Sequence, residues 1–143
     1  MSLDPTEIAK AFGDCRSGDW DEAEIRRLAS LLFFGVFCYW MEKTGMPGKI
    51  QKNGHAMVTD FKVRQVRLQE KGGVGRALIQ KAFISADFLN SFRIAADHYF
   101  GNPAQTKEGK EIHFIPKKKS ELHHHFEIVM NALRSEDIDW KNS

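Results

Sequence analysis

The sequence is poor in the features that mark secreted or membrane-spanning proteins. It has only two cysteines in 143 residues. Cys15 lies in a polar stretch and Cys38 in the most apolar one, so we expect two free thiols in a reducing compartment. The N-terminus has no cationic start followed by an apolar run, so no secretory signal is expected. We accordingly expect a cytoplasmic protein.

No stretch of the chain has the length of a membrane span. The longest apolar run, residues 28–41, is interrupted by Ser30 and Gly35, and a membrane span needs about 20 apolar residues. We expect this run to be a buried helix and predict no membrane partner. The chain also has no visible repeat, low-complexity segment or linker, which predicts a single domain over residues 1–143.

Neither sign of charge dominates the chain as a whole. Its 21 Lys and Arg residues nearly balance its 19 Asp and Glu residues, which leaves a net charge of +2. This balance excludes a uniformly cationic protein that coats nucleic acid and a uniformly acidic protein that mimics nucleic acid. The composition, 42% hydrophobic and 28% charged, is typical of a globular domain, and eleven Phe residues can fill one core.

Hydrophobic periodicity predicts a mainly helical fold. Helices are expected over residues 5–12, 20–43 and 74–100, the last with a restart near residues 85–87, and a final helix opens at Ser120. The core face of that final helix is predicted to consist of Leu122, Phe126, Val129, Met130 and Leu133.

The segments between these helices carry weaker signals. A small hairpin is predicted across residues 53–54, and residues 55–68 fit a strand or a helix equally well. Residues 111–115 resemble a short strand. The predicted fold class is therefore mainly α, a single-domain bundle of five or six helices with at most a small β-hairpin or a two- to three-stranded sheet. Residues 135–143 form a frayed or loosely docked tail, with Trp140 as the residue that would dock.

Positive charge is concentrated in the middle third of the chain. Residues 43–81 hold nine Lys and Arg residues against two Asp and Glu residues. Clustered cations neutralise backbone phosphates and release counterions. If this segment is helical, Arg64, Arg67 and Lys71 form one basic stripe, and the glycines after Lys71 let a backbone approach a phosphate closely. The residues predicted to contact nucleic acid or another polyanion are Lys62, Arg64, Arg67, Lys71 and Arg76. An acidic protein partner and a merely solvated face are the alternatives.

The same glycines resemble a nucleotide-binding loop. Residues 71–76, Lys-Gly-Gly-Val-Gly-Arg, are similar to the phosphate loop of the partition-type ATPases. Arg76 and Ala77 stand where that loop has its phosphate-reaching Lys and its metal-binding hydroxyl. Nucleotide hydrolysis is therefore not expected, and no cofactor is predicted.

Histidines cluster in the sequence, but their spacing argues against a shared metal ion. His123, His124 and His125 are consecutive, and consecutive helix positions point about 100° apart, so one ion cannot bind all three. A site joining His98, His113 and His123 would need a contact between distant segments. We predict no metal site.

One pair of residues raises an enzymatic alternative. Residues 93–98, Arg-Ile-Ala-Ala-Asp-His, have an Arg-x4-His spacing similar to that of the HEPN family of all-helical domains, many of which are ribonucleases. This resemblance implies metal-independent RNA cleavage in which Arg93 steadies the phosphate and His98 moves protons, across a dimer interface. The structural alternative is a surface ion pair between Arg93 and Asp97, four residues apart.

The apolar run raises a third hypothesis. From Leu31 onward the predicted helix is apolar on every side, so it needs packing partners all around, and a second copy of the chain can supply some of them. Taken together, the sequence favours a small non-enzymatic helical module that binds nucleic acid or another polyanion through residues 43–81. A HEPN-like ribonuclease and a homodimeric assembly module are the alternatives.

Overall fold

The computed structural model of the protein describes residues 22–45, 54–71 and 74–141. These residues form α1 (Glu22–Thr44), α2 (Gly54–Lys71), α3 (Val74–His98), β1 (Ala104–Gln105), β2 (Glu111–Ile112) and α4 (Lys118–Arg134). The mainly α fold class with a small sheet is confirmed. The described residues contain four helices instead of five or six, and the helix predicted over residues 5–12 lies outside them.

Helix α3 is the centre of the bundle. It packs against each of the other three helices, whereas α1 packs mainly on α3 and α4. Two residues separate α2 from α3, so these helices run antiparallel as a helical hairpin. The buried side chains of the four helices and of the segments that follow α3 and α4 form one core, whose largest fully buried members are Trp40, Phe61, Phe114 and Phe126.

Helix α1 lies where the periodicity predicted it. Glu22 and Glu24 in its first turn and Lys43 in its last turn complement the helix dipole. Gly45 follows with a φ of 68°, the left-handed conformation that commonly ends a helix. The apolar run of residues 28–41 is therefore a helix that contributes to the core.

The ambiguous residues 55–68 are helical. Met57 and Phe61, one helical turn apart, are fully buried, whereas Val63 is 42% exposed. A strand would have placed Phe61 and Val63 on the same face, and the core accepts only one of them. The hairpin predicted across residues 53–54 is wrong, because Gly54 is the first residue of α2.

Helix α3 continues without the predicted restart and ends at His98. Arg26 of α1 satisfies the carbonyl groups at this end and lies 4.1 Å from the centre of the Phe114 ring. A cation at a helix C-terminus is favourable because the carbonyl ends of the peptide dipoles gather there. The guanidinium donates hydrogen bonds of 2.9–3.0 Å to the carbonyl oxygens of Ala95, Ala96 and Tyr99.

The chain then turns back through a short antiparallel sheet. Gly101, with a φ of 91°, precedes a cis peptide bond between Asn102 and Pro103. The Asn102 side chain accepts a hydrogen bond from the Phe114 amide at 2.8 Å and donates one to the Phe114 carbonyl at 3.0 Å. In the sheet, Ala104 lies opposite Ile112. The predicted strand over residues 111–115 is thus present in its first two residues.

Helix α4 begins at Lys118, two residues before the predicted start at Ser120. It packs on α1 and α3. The predicted core face is confirmed, since these five side chains are all buried: Leu122, Phe126, Val129, Met130 and Leu133.

The tail after α4 packs on the bundle through two apolar side chains. Ile138 and Trp140 are only 5% and 4% exposed, and the Trp140 indole donates to the Ala132 carbonyl at 3.2 Å. Gly75 at the start of α3 makes room for the tail, because a Cβ at that position would lie 3.0 Å from the Asp137 carbonyl oxygen. Trp140 therefore docks, as the sequence allowed.

A buried ion pair joins α1, α2 and this tail. The Asp60 Oδ2 atom accepts hydrogen bonds from Trp40 Nε1 and Arg64 Nε, each at 2.8 Å. Arg64 Nη2 donates to the Trp140 carbonyl at 2.8 Å, and the Arg64 guanidinium carbon lies 4.8 Å from the centre of the Trp140 ring. Arg64 is only 4% exposed, so its charge is satisfied inside the fold.

We predict that Arg64→Met lowers the free energy of unfolding by about 3 kcal/mol, because it leaves Asp60 without its cation and the Trp140 carbonyl without its donor. Urea unfolding followed by circular dichroism measures the change. Arg67→Met is the matched control on the same helix and should change stability by less than about 0.5 kcal/mol, because Arg67 is exposed. Equal effects of the two substitutions would contradict the role of Arg64.

Candidate functional site

The five predicted polyanion contacts do not share one surface. Lys62 and Arg67 are exposed on α2, and Arg76 is half-buried near the start of α3. Lys71 is the last residue of α2, and its side chain lies outside the described residues. Arg64 is buried in the ion pair with Asp60.

The predicted basic stripe of Arg64, Arg67 and Lys71 therefore needs a correction at Arg64. Its guanidinium is occupied by Asp60 and by the tail carbonyl groups of Asp139 and Trp140, at 3.3 Å and 2.8 Å. A phosphate would have to displace these partners and open the docked tail. Arg64 is a residue of the fold, and we remove it from the candidate site.

The glycine expected to admit a phosphate has another role as well. Gly75 faces the backbone of the tail at Asp137. The space left by its missing side chain is therefore occupied by the tail and not by a phosphate. The resemblance to a phosphate loop therefore has a structural explanation at Gly75. The preceding glycines, residues 72–73, lie outside the described residues.

Four cations remain available along the α2–α3 hairpin. Lys62, Arg67 and Lys81 are exposed and Arg76 is half-buried, and we call these four the hairpin cations. None of them forms an ion pair with another residue in the described part of the chain. Lys81 is not among the five residues predicted from sequence, although the basic segment ends on it; its position on the outward face of α3 is decided by how α3 packs.

Few acidic side chains accompany the hairpin cations within the two helices, although the tail that packs against Gly75 carries Glu136, Asp137 and Asp139. Within the described side chains of residues 55–68 and 75–86, Asp60 is the single carboxylate, and it is bound by Trp40 and Arg64. The outward face of α2 also exposes Val63 and Val66, which are 42% and 58% exposed. Lys62 and Arg67 are five positions apart and therefore lie about 140° apart around α2, with Val63 and Val66 on the exposed arc between them.

The histidines do not assemble a metal site in the described residues, where no group of three potential ligands is found. His125 is instead half-buried against α3, with its ring stacked 4.0 Å from the Phe88 ring and Nδ1 2.9 Å from Ser85 Oγ. Burial, with the neighbouring charge of His124, lowers the pKa of His125. Burial and then Lys119 lower the pKa of His123.

The two residues of the ribonuclease alternative point apart within one chain. Arg93 and His98 are five positions apart on α3, which separates their side chains by about 140° around the helix. His98 is exposed at the helix end. Arg93 Nη2 donates to Asn90 Oδ1 at 2.8 Å, and Asp97 accepts from Ser30 Oγ at 2.6 Å, so the predicted Arg93–Asp97 ion pair is replaced by these two hydrogen bonds.

Comparison with known proteins leaves the geometry as the only guide to function. The chain matches no family model, and it has no significant match among curated proteins or solved structures. Among the described helices, none combines the length and the apolar character that crossing a bilayer requires.

We predict that the protein loses stability as the pH falls below the ordinary histidine pKa of about 6.5. In the folded state the pKa values of His123 and His125 are lowered. As the pH falls, the unfolded chain therefore binds protons at a higher pH than the folded chain does, and acidification favours unfolding. Melting temperatures measured between about pH 7.5 and about pH 5.5 test this. In His123→Gln/His125→Gln the fall should be shallower, and a fall as steep as in the parent would contradict the assignment.

Proposed function

We propose that the protein binds the phosphate backbone of nucleic acid through the outward face of the α2–α3 hairpin. The hairpin cations provide the contacts, and the surface acts without any chemical step. The bound partner is recognised by its charge, since phosphate contacts position a protein on nucleic acid without choosing a sequence.

The observation that carries this proposal is the imbalance of charge on the hairpin. The hairpin cations form no ion pair within the described residues, and Asp60, the one carboxylate among the described side chains of residues 55–68 and 75–86, is already bound. Exposed cations that lack internal partners keep their counterions, and these are released when phosphates replace them. We therefore expect an acidic polymer to bind this surface more tightly than a neutral partner.

The exposed valines favour single strands over a duplex. Val63 and Val66 lie on the same outward face of α2 as Lys62. Unpaired bases offer apolar surface directly beside their phosphates, whereas a duplex presents only phosphates and sugars to a convex helix face that stays outside its grooves. We expect tighter binding to single-stranded RNA or DNA than to duplex DNA.

Binding should weaken steeply with salt. If all four hairpin cations contact phosphates, the logarithm of the affinity for a single strand should fall with the logarithm of the salt concentration with a slope of roughly −3. Fluorescence anisotropy of labelled RNA and DNA oligonucleotides, from about 50 mM to about 200 mM salt, measures this slope. The absence of binding at the lower salt concentration would overturn the proposal.

Charge reversal identifies the surface. Lys62→Glu/Arg67→Glu should reduce the affinity at least about tenfold and make the salt slope shallower by roughly 1 to 2, because two phosphate contacts are lost. The matched control is Lys107→Glu/Lys110→Glu, which changes the net charge equally at two exposed residues beside the β-hairpin.

Two results would redirect the assignment. Equal losses in the two double variants would mean that only the net charge matters and that the hairpin is not the binding surface. Shortening of the RNA in the presence of a chelator, abolished by His98→Ala, would favour the ribonuclease alternative instead.

A further inference from the structure

Helix α1 carries a second apolar stripe beside the one that it buries in the core. Phe34 is 55% exposed, and the other members of the stripe are half-buried. Their spacing of three, four and three residues is the spacing at which two helices pack along a shared seam. The stripe consists of Leu31, Phe34, Cys38 and Met41.

This stripe lines an open groove between α1 and α3. The groove has a volume of about 550 Å³, and its walls are mainly apolar. Its rim on the α3 side carries one cation, Arg93, and one anion, Asp97. Within the described part of the chain, no side chain fills the groove or covers Phe34.

Arg93, which packs over the Phe33 ring at 5.1 Å, contains an unsatisfied donor. Arg93 Nη2 binds Asn90, but Arg93 Nε is buried and has no hydrogen-bond partner among the described residues. A buried donor without an acceptor is costly, and more so when it belongs to a charged group. Asp97 binds Ser30 through Oδ1 only, so a carboxylate oxygen one helical turn from Arg93 remains available to a partner.

We propose that a second copy of the chain covers this face, so that the protein is a homodimer with two-fold symmetry. In a two-fold interface each surface meets itself. The apolar stripe of one α1 then packs along the stripe of the partner's α1, and Arg93 of each copy faces Asp97 of the other. A face that carries one cation and one anion on the same helix is complementary to itself when the two-fold axis passes between the two charges.

The length of the stripe also fits a second α1. From Leu31 to Met41 the stripe extends about 15 Å at 1.5 Å per residue, and the partner's stripe has the same length. The segment before α1 is the other candidate occupant, but the helix predicted there over residues 5–12 is shorter and offers three apolar residues on one face: Ile8, Ala11 and Phe12.

The first test is the state of association of the full chain. Sedimentation velocity at increasing protein concentration should show a dimer that Phe34→Glu converts to a monomer. Ile84→Glu is the matched control, since Ile84 is 58% exposed and lies outside the groove, and it should leave the dimer intact. Circular dichroism of both variants checks that they are folded.

The second test uses the charges of the rim. Arg93→Glu and Asp97→Arg should each weaken the dimer at least about tenfold, because each places two like charges opposite one another. Mixing the two single variants should restore association as a heterodimer, since both cross-interface pairs then have opposite charges. This rescue distinguishes a two-fold interface from any effect of the substitutions on a single chain.

Three outcomes would overturn the proposal. One is a monomer at every concentration; a lower melting temperature of Phe34→Glu would then point to residues 1–21 as the occupant of the groove. Another is a dimer that Phe34→Glu leaves intact, which would place the interface elsewhere. The third is a mixture of the two charge variants that associates no better than either variant alone.

Discussion

The ion pair between Asp60 and Arg64 is the constraint on which the rest of the structure depends. Charges removed from water must be paired and hydrogen-bonded, and this pair finds its partners in Trp40 of α1 and in the tail at Trp140. The pair thereby fixes the rotation of α2 about its axis. Lys62 lies two positions before Arg64 and points about 200° away, which places it in solvent.

Two arginines bind backbone carbonyl groups that have no hydrogen-bond partner within a helix. Arg26 binds the carbonyl groups at the end of α3, and Arg64 binds those of the tail. Both also pack over an aromatic ring. A guanidinium suits this role because its several donors lie in one plane and can reach several carbonyl groups at once. Two of the arginines of the sequence therefore stabilise the fold through backbone carbonyl groups and carboxylates.

The two proposed surfaces belong to different parts of the bundle. The hairpin cations lie on α2 and the first half of α3, whereas the apolar stripe lies on α1 and its charged rim on the last third of α3. Neither surface uses a residue of the other. A homodimer would carry two copies of the cationic surface, and the second would bind the same strand at a high effective concentration if the spacing allowed both to engage.

The sequence alone determined the helical class, the positions of α1 and α3 along the chain and the core face of α4, because a periodicity repeated over several turns is a local property. Only the tertiary structure decided that residues 55–68 are helical, that Arg64 is buried and that Gly75 admits the tail. Arg64 and Trp140 are 76 residues apart, so no local pattern reveals their contact. Whether a cation faces solvent or the interior depends on which distant carbonyl groups reach it, and that is settled only when the helices and the tail pack together.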